Sequence, residues 1–295
     1  MQIWRVGHLF SWTEVEFRSV TQISDDKIKD LERKSKWLRK SVFQTAMKTG
    51  GRGAHLGGTL SCIEILISLY YSGLVNINKE NLNNSERDRV LIGKGHAHIA
   101  LFHIWSDLNF FDKKILEDYG NNGSKLGLQL DINTEGSEYN TGSLGHVVGI
   151  ASGIALSRRL DNLNYNIYTL IGDGECEEGS IWEAINFSIQ QTLKNFCIII
   201  DRNRLSEFSQ VSEEEDFYLE NKFKNSGCEL SVINGHSYSE IISSLQKTKL
   251  MNSPHVIIAN TIKGKGVSFM ENEIKWHHKA PSTDEFNKAI KELSE

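Results

Sequence analysis

The stretch from Gly172 to Asn203, GDGECEEGSIWEAINFSIQQTLKNFCIIIDRN, carries the strongest structural signal in the chain. The apolar segment NIYTLIG at 166–172 leads into it, and a second apolar segment, FCIIID at 196–201, lies near its end. Between these segments the sequence predicts a helix over 178–193. Short apolar strands that alternate with helices are typical of a parallel sheet covered on both faces.

The rest of the chain repeats this alternation. A long amphipathic helix is predicted from Ser24 to Thr49, and the glycine-rich segment 50–61 is predicted as a connection. Residues 119–145 should form a long loop, which inside a domain is usually functional. Further strands are predicted at 90–92, 229–234 and 255–261, and further helices at 62–71, 147–160 and 238–248. We therefore predict one α/β domain over residues 24–295, preceded by an N-terminal extension of unknown role over residues 1–23.

Composition excludes several classes of protein. The formal net charge of −5, without clustered Lys and Arg, argues against nucleic-acid binding. The sequence contains no run of the roughly 20 apolar residues that a membrane-spanning helix needs. Charged residues interrupt the N-terminal segment, so no signal peptide is predicted. The four cysteines are far apart and form no CxxC pair, which favours a reducing compartment, and we expect a cytoplasmic protein.

Asp173 and Asn203 have the spacing of a metal site. They are 203 − 173 = 30 residues apart, which is one crossover of a parallel sheet. Both side chains should therefore lie at the carboxyl ends of neighbouring strands, where such folds bind ligands. Their oxygens suit Mg²⁺, and the flanking Gly172 and Gly174 would let a phosphate approach the backbone. This predicts a site for a metal-bound diphosphate.

Simpler interpretations exist for each of these features. An isolated GDG is more often a tight turn. The acidic residues at 175, 177 and 178 could be a favourable first turn of a helix. Lys263 and Lys265 could bind phosphate or form a solvated turn. A single histidine is more often a surface or capped residue than a proton-transfer group, and we keep that interpretation for His98 and His278.

Five segments together resemble one family. The stretch 172–203 resembles the thiamine-diphosphate motif of the transketolase family, which begins with GDG and ends with Asn. Four other segments resemble family segments in the same order along the chain, and the similarity covers about residues 24–285. These segments are GAHLGGTLS at 53–61, GKGHAHIALF at 93–102, NTGSLGH at 140–146 and TIKGKGVSFMENEIKWHHKAP at 261–281.

The resemblance implies thiamine diphosphate and Mg²⁺ as cofactors, and it implies roles for individual residues. Asp173, Asn203 and the Leu205 carbonyl would bind Mg²⁺. Gly172, Gly174 and His96 would lie against the diphosphate, and His277 would lie between diphosphate and substrate. The remaining predicted site residues are His55 in the substrate channel, Leu144, whose backbone would contact the aminopyrimidine ring, and Glu178 and Glu183 at a dimer interface. Of all these residues, His55, His277 and Glu183 are the predicted catalytic ones.

The resemblance also implies a reaction and a partner. We expect transfer of a two-carbon ketol unit from a ketose, such as a sugar phosphate, to an aldose. The glutamate that activates the cofactor would come from a pyrimidine-binding domain on a second, C-terminal subunit, in an α2β2 assembly. One departure is Gln129-Leu130, where the family usually has His-Pro. This departure allows an unusual donor or acceptor and permits a non-catalytic scaffold subunit; another thiamine-diphosphate carboligase or decarboxylase component also stays open.

Overall fold

The five described strands form one parallel sheet in the order β1-β2-β3-β5-β4. The computed structural model describes residues 22–51, 55–205 and 210–294, so the predicted N-terminal extension lies outside the described residues except for its last two. The strands are β1 Arg89–Ile92, β2 Ile167–Gly172, β3 Phe196–Arg202, β4 Glu229–Asn234 and β5 His255–Asn260. The predicted α/β fold with a parallel sheet is confirmed.

Helices precede and separate the strands, as the periodicity predicts. The helices are α1 Asp25–Lys48, α2 Leu56–Ser61, α3 Ile63–Tyr71, α4 His98–Asp107, α5 Lys114–Glu117, α6 Val147–Leu160, α7 Gly179–Gln190, α8 Glu213–Lys224, α9 Tyr238–Thr248 and α10 Thr283–Glu292. The Ser24 hydroxyl caps α1 by accepting a hydrogen bond from the Lys27 amide, as expected for this residue type at a helix start. Within these ranges no helix combines the length and the apolar character needed to cross a membrane.

Two hydrophobic clusters cover the two faces of the sheet. One cluster includes residues of α1, α3, α4 and α9, and the other includes residues of α6 and α7. Along β3, Ile198 and Ile200 belong to the second cluster, whereas Ile199 between them belongs to the first. Successive residues of a strand point to opposite faces, so a strand buried on both sides is apolar throughout. This explains the continuous apolar sequence of β3.

The segment predicted as a glycine-rich connection contains a short helix, α2, so that prediction is wrong for residues 56–61. Its glycines serve close packing. A Cβ on Gly57 would lie 3.0 Å from the Trp276 carbonyl oxygen, and a Cβ on Gly58 would lie 2.6 Å from His96 Nε2. Glycine is therefore favoured at these positions because other segments approach the backbone of α2 closely.

The cysteines are free thiols. Cys62, Cys176 and Cys197 are buried and Cys228 is half-buried. Burial raises the pKa of Cys62 and of Cys197 to about 12, which keeps both thiols protonated at neutral pH.

Candidate active site

Asp173 connects the loops that follow β2 and β3. It lies directly after β2, and Gly172 pairs with Asp201 of β3, so both loops leave the same edge of the sheet. The Arg204 amide donates to Asp173 Oδ2 at 2.7 Å, and the Gly174 amide donates to Oδ1 at 3.0 Å. Burial, and then the Asp201 carboxylate, raise the pKa of Asp173 above its ordinary value. A bound cation would favour the charged form.

Asp173, Asn203 and Leu205 supply a set of oxygen donors, called here the oxygen group. Asn203 is buried, and its Oδ1 accepts a hydrogen bond from the Leu205 amide at 3.1 Å. The Leu205 carbonyl accepts one from Lys263 Nζ at 3.0 Å. A carboxylate, an amide and a carbonyl fit Mg²⁺, which takes oxygen ligands and shares its shell with water or phosphate. In the part of the chain that the structure describes, no three His, Cys, Asp or Glu side chains are grouped to hold a metal.

A buried ion pair lies beneath the oxygen group. Lys94 pairs with Asp201, and their side chains are 3% and 0% exposed. Lys94 also donates to the Gly58 carbonyl at 2.9 Å, and the Ser61 hydroxyl donates to Asp201 Oδ2 at 2.6 Å. Burial acts to lower the pKa of Lys94, but the Asp201 carboxylate outweighs it and the pKa is raised. Lys94 therefore stays charged, and the pair joins the loop after β1, α2 and β3.

Four imidazole rings meet beside the oxygen group, and we call them the histidine cluster. The ring of His55 lies 5.5 Å from that of His96, 5.9 Å from that of His277 and 4.4 Å from that of His278. His55, His96 and His277 are half-buried and His278 is exposed. The structure thus brings the three predicted histidines together. The structure also places His278 in the cluster. The sequence favours a surface role for His278, and only its position beside His277 could have indicated otherwise.

Two of these rings are held in the neutral form. Burial, and next the charge of Lys94, hold the pKa of His96 well below its ordinary value. Burial, and next the charge of Lys263, lower the pKa of His277 to about 4. Lys263 Nζ lies 2.9 Å from His277 Nδ1, and an ammonium group can only donate there, so Nδ1 accepts. The proton of neutral His277 is therefore on Nε2.

Lys263 and Lys265 have different environments, although the sequence treats them alike. Lys263 is 1% exposed and reaches both the oxygen group and His277, so a solvated turn is the wrong interpretation for it. Lys265 pairs with Glu271 at the surface, where that interpretation holds. Gly264 between them has φ +80°, and a Cβ there would lie 2.3 Å from the Met270 carbonyl oxygen. Only glycine fits this turn.

Three of the predicted residues outside these two groups lie on the surface. Leu144 is 49% exposed in the turn before α6, and Glu178 and Glu183 are exposed at the start of α7 and along it. Together with Ile150 and Phe187, Glu183 borders a shallow pocket between α6 and α7. In this chain the two glutamates are therefore not brought to the histidine cluster.

Glu175 is the acidic residue that sequence reasoning missed. Among the glutamates of the GDG segment it alone is buried, and it is 3% exposed rather than part of a solvated first turn. Its Oε1 accepts a hydrogen bond from the Gly145 amide at 3.0 Å. Burial raises the pKa of Glu175 to about 7. Glu175 does lie in the first turn of the 3₁₀ helix Gly174–Glu177, but it is buried there rather than solvated like Glu177.

Gln129, the departure noted in the sequence, lies beside the histidine cluster. Its side chain is exposed and accepts a hydrogen bond from the Thr141 hydroxyl at 3.3 Å. A Cβ on Gly95, the residue before His96, would lie 2.3 Å from Gln129 Oε1. The long loop therefore brings an amide group to the edge of the site, where it can exchange hydrogen bonds with a bound hydroxyl.

Comparison with known proteins identifies the family of this fold and site. A family model described as "Transketolase, thiamine diphosphate binding domain" matches residues 39–294. The chain belongs to the transketolase family. The match confirms the resemblance predicted from the GDG segment and the four segments that accompany it.

Two relatives match along nearly their whole length, and both are named as transketolase subunits. One, from Phocaeicola vulgatus, is named for apulose-4-phosphate and is 34% identical over 272 residues, which cover 91% of this chain and 95% of that protein. The other, from a Clostridium species, is named for 6-deoxy-6-sulfo-D-fructose and is 34% identical over 267 residues, which cover 90% of this chain and 96% of that protein. In extent, this transketolase chain thus resembles separate subunits.

Longer transketolases match through part of their length. Human transketolase is 29% identical over 270 residues, which cover 90% of this chain and 42% of that protein. The crystal structure of transketolase from Campylobacter jejuni superposes with a TM-score of 0.79 at 28% identity, covering 92% of this chain and 43% of that one. The chain therefore spans less than half the length of these longer transketolases.

Proposed function

We propose that this chain is the thiamine-diphosphate-binding subunit of a transketolase that transfers a two-carbon ketol unit between sugars. The observation that carries the proposal is the convergence of the oxygen group, Lys263 and the histidine cluster at one edge of the sheet. Oxygen donors for a metal, a buried cation and neutral imidazoles are the groups that binding a metal diphosphate and moving protons require.

The oxygen group and the neighbouring glycines would hold the cofactor. Asp173, Asn203 and the Leu205 carbonyl would bind Mg²⁺, which would in turn bind the diphosphate. A Cβ on Gly174 would meet no described atom within 4 Å, so the turn after β2 leaves space for a phosphate. Gly172 would line the same turn, and His96 would donate from the other side. Thiamine diphosphate, when bound, supplies the nucleophilic carbon for ketol transfer.

The histidine cluster would move protons on the substrate. A ring with a pKa near 4 is neutral at pH 7, so His277 can donate from Nε2 to an oxygen without carrying a charge itself. His55 lies 5.9 Å from His277 by ring centroids, so one substrate hydroxyl could lie between the two rings. We assign proton transfer to His55 and His277, and recognition of a substrate hydroxyl to Gln129.

A second polypeptide would complete the site. The relatives of similar length are named as subunits, and the surface between α6 and α7 exposes apolar side chains. Ile150 and Phe187 are each 38% exposed there, beside Glu183. These two side chains could contact a neighbouring chain, although the main support for a partner is the naming of the relatives as subunits. We propose an α2β2 assembly in which Glu178 and Glu183 face a neighbouring chain, with Glu183 linking the paired sites.

The relatives' names point to sugar substrates that carry an anionic group. One is named for apulose 4-phosphate and the other for 6-deoxy-6-sulfo-D-fructose. We propose a phosphorylated or similarly charged ketose as the donor. Turnover of ketose phosphates but not of pyruvate, measured with the partner present, would separate this reaction from that of another thiamine-diphosphate carboligase.

The oxygen group provides the direct test. The chain is captured by a tag from a lysate of its source, and native mass spectrometry should find a second subunit, thiamine diphosphate and Mg²⁺. Calorimetric titration with thiamine diphosphate should then show Mg²⁺-dependent binding that Asp173→Ala abolishes. Asp26→Ala, on exposed α1 surface, is the matched control and should bind normally. Normal binding of thiamine diphosphate by Asp173→Ala would contradict the metal assignment. If native mass spectrometry finds a homo-oligomer without thiamine diphosphate, the chain is better explained as a non-catalytic scaffold subunit.

A further inference from the structure

Glu175 is a buried carboxylate that the proposed chemistry does not use. It lies in the 3₁₀ turn Gly174–Glu177 between β2 and α7 and is 3% exposed. Its Oε1 accepts the Gly145 amide hydrogen, whereas its Oε2 has no hydrogen-bond partner among the described residues. A buried carboxylate with an unpaired oxygen is unfavourable for folding. Its presence therefore calls for a function at this position.

The residue that Glu175 binds is held from two sides. The Gly145 amide donates to Glu175, and the Gly145 carbonyl accepts from the Ser180 hydroxyl at 2.9 Å. Gly145 has φ +84°, and a Cβ on it would lie 2.4 Å from Ser180 Oγ and 2.8 Å from Glu178 Cβ. The turn before α6 thus packs against the start of α7, and the contact leaves room only for glycine at position 145.

The same carboxylate also contacts the end of β1. A Cβ on Gly93, the residue after that strand, would lie 2.6 Å from Glu175 Oε2 and 2.8 Å from Oε1. It would also lie 2.8 Å from Val147 Cγ1 at the start of α6. Glu175 therefore fills the space where the end of β1, the GDG turn and the turn before α6 meet.

Binding the Gly145 amide fixes the direction of the preceding carbonyl. The amide of Gly145 and the carbonyl of Leu144 belong to one peptide group, which is planar and trans, so the two point in opposite directions. With the amide directed at Glu175, the Leu144 carbonyl points away from it. The resemblance to transketolases implies that the Leu144 backbone contacts the aminopyrimidine ring of the cofactor, and we adopt that contact here as part of the proposal.

We infer that Glu175 is a positioning residue, which holds the Leu144–Gly145 peptide in the orientation that receives the aminopyrimidine ring. The inference rests on the proposed function for the identity of the ligand. It does not rest on that function for the hydrogen bond itself, which the chain makes without a cofactor.

The test compares three variants of Glu175 with a control from the same turn. Glu175→Gln keeps an oxygen that can accept the hydrogen bond from the Gly145 amide, and Glu175→Ala removes that oxygen. Glu175→Asp keeps a carboxylate, but its side chain is one methylene shorter and should not reach the amide. Glu177→Ala is the control, because Glu177 is exposed in the same 3₁₀ turn. Hydrogen exchange of the Gly145 amide is measured in the chain without cofactor. The Kd for thiamine diphosphate is then measured at saturating Mg²⁺ in the complex with its partner.

We expect faster exchange and weaker binding together, and only in the variants that lose the bond. Glu175→Ala and Glu175→Asp should exchange the Gly145 amide about tenfold faster and bind thiamine diphosphate about tenfold more weakly. Glu175→Gln should stay close to the wild type, and so should Glu177→Ala. A merely structural role would instead shift the melting temperature without separating Gln from Asp.

Three results would overturn the inference. Unchanged Gly145 exchange in Glu175→Asp, or in Glu175→Ala if that variant folds, would show that the hydrogen bond does not hold the turn. Faster exchange with unchanged cofactor affinity would show that the turn does not receive the ring. A wild-type complex with the expected exchange but no affinity for thiamine diphosphate would contradict the proposed function, and with it the positioning of this ligand.

Discussion

The oxygen group and the histidine cluster lie at the same edge of the sheet but are held in different ways. Backbone amides of the two adjoining loops bind both oxygens of Asp173 and the side-chain oxygen of Asn203. The histidine cluster joins residues between 55 and 278, and its rings contact one another, with a hydrogen bond from Lys263 to His277. One group is fixed locally, and the other depends on the packing of distant segments.

The contrast indicates where each group is vulnerable. A metal needs donors at fixed distances, which short loops on adjacent strands supply. Imidazoles that move protons need correct protonation and mutual approach, which burial, neighbouring cations and closely packed glycines supply. Substitutions in the Lys94–Asp201 pair should therefore disturb both groups. Substitutions at Gly58, which packs against His96, should disturb the histidine cluster alone.

The buried pair that supports both groups should give the greatest loss of stability. Asp201→Asn would leave the Lys94 ammonium buried without a counter-ion, and we expect it to lower the free energy of unfolding by about 3–5 kcal/mol. Urea denaturation of the chain measures this. The double variant Lys94→Met, Asp201→Asn should recover most of the loss. A cost below about 1 kcal/mol for the single variant would contradict a buried, charged pair.

A somewhat smaller loss of stability is expected at acidic pH from His98, which lies two residues after His96 and outside the histidine cluster. His98 is fully buried, its Nε2 lies 2.7 Å from the Tyr119 hydroxyl, and burial lowers its pKa to about 4. Because the unfolded chain binds this proton near pH 6.5, stability is full above that pH. About 3 kcal/mol should be lost as pH falls from 6.5 to 4.

Urea denaturation across this pH range, for wild type and His98→Gln, checks the prediction. The variant lacks the titrating ring, so the difference in unfolding free energy between the two proteins should change with pH. A constant difference between pH 7 and pH 4 would show that His98 is not a buried neutral imidazole.

His277 should affect catalysis more than folding. In the proposed complex with a second subunit, His277→Asn should lower kcat about 100-fold, at the lower end of general acid–base effects. Steady-state kinetics measures this, and Lys275→Ala, an exposed position in the same segment, serves as the control. Loss of thiamine diphosphate affinity with an unchanged kcat at saturation would instead limit His277 to cofactor binding.

A pair of glycine substitutions should have the mildest effect, and it tests the contrast between the two groups directly. The Cβ of Gly58→Ala would lie 2.6 Å from His96 Nε2, whereas that of Gly174→Ala, beside the oxygen group, would meet no described atom within 4 Å. Overpacking at Gly58, partly offset by helix propensity, should cost about 1 kcal/mol. Gly174→Ala should cost less than about 0.5 kcal/mol in the chain without cofactor. Thermal denaturation compares the two, and equal costs would remove the distinction.

The fold and the placement of Asp173 and Asn203 on adjoining loops were predictable because their signals are local, whereas Leu205 was named only through the family resemblance. Apolar strands 30 residues apart fix a crossover, and Asp173 and Asn203 follow those strands directly. What the sequence did not reveal depends on packing between distant segments. Glycines 57 and 58 resemble a turn until Trp276 and His96 are placed against them.

The same reason explains the other misses. Glu175 looks like its exposed neighbours until Gly93 and Gly145 cover it. Lys263 and Lys265 have the same sequence context, and their tertiary partners separate them: Lys263 contacts Leu205 and His277, and Lys265 contacts Glu271. Family resemblance assigned roles to three histidines, but the approach of His278 to His55 follows from the path of residues 274–278, which no local pattern encodes.

The buried thiols give the molecule a built-in chemical reporter. Cys62 is fully buried between α2 and α3, next in sequence to Ser61, which binds Asp201, whereas Cys228 is half-buried before β4 at the other edge of the sheet. An alkylating reagent should therefore modify Cys228 early. It should reach Cys62 only when the packing around α2 and Asp201 opens. The ratio of the two labelling rates would measure how often this edge of the sheet opens locally, and no introduced probe is needed.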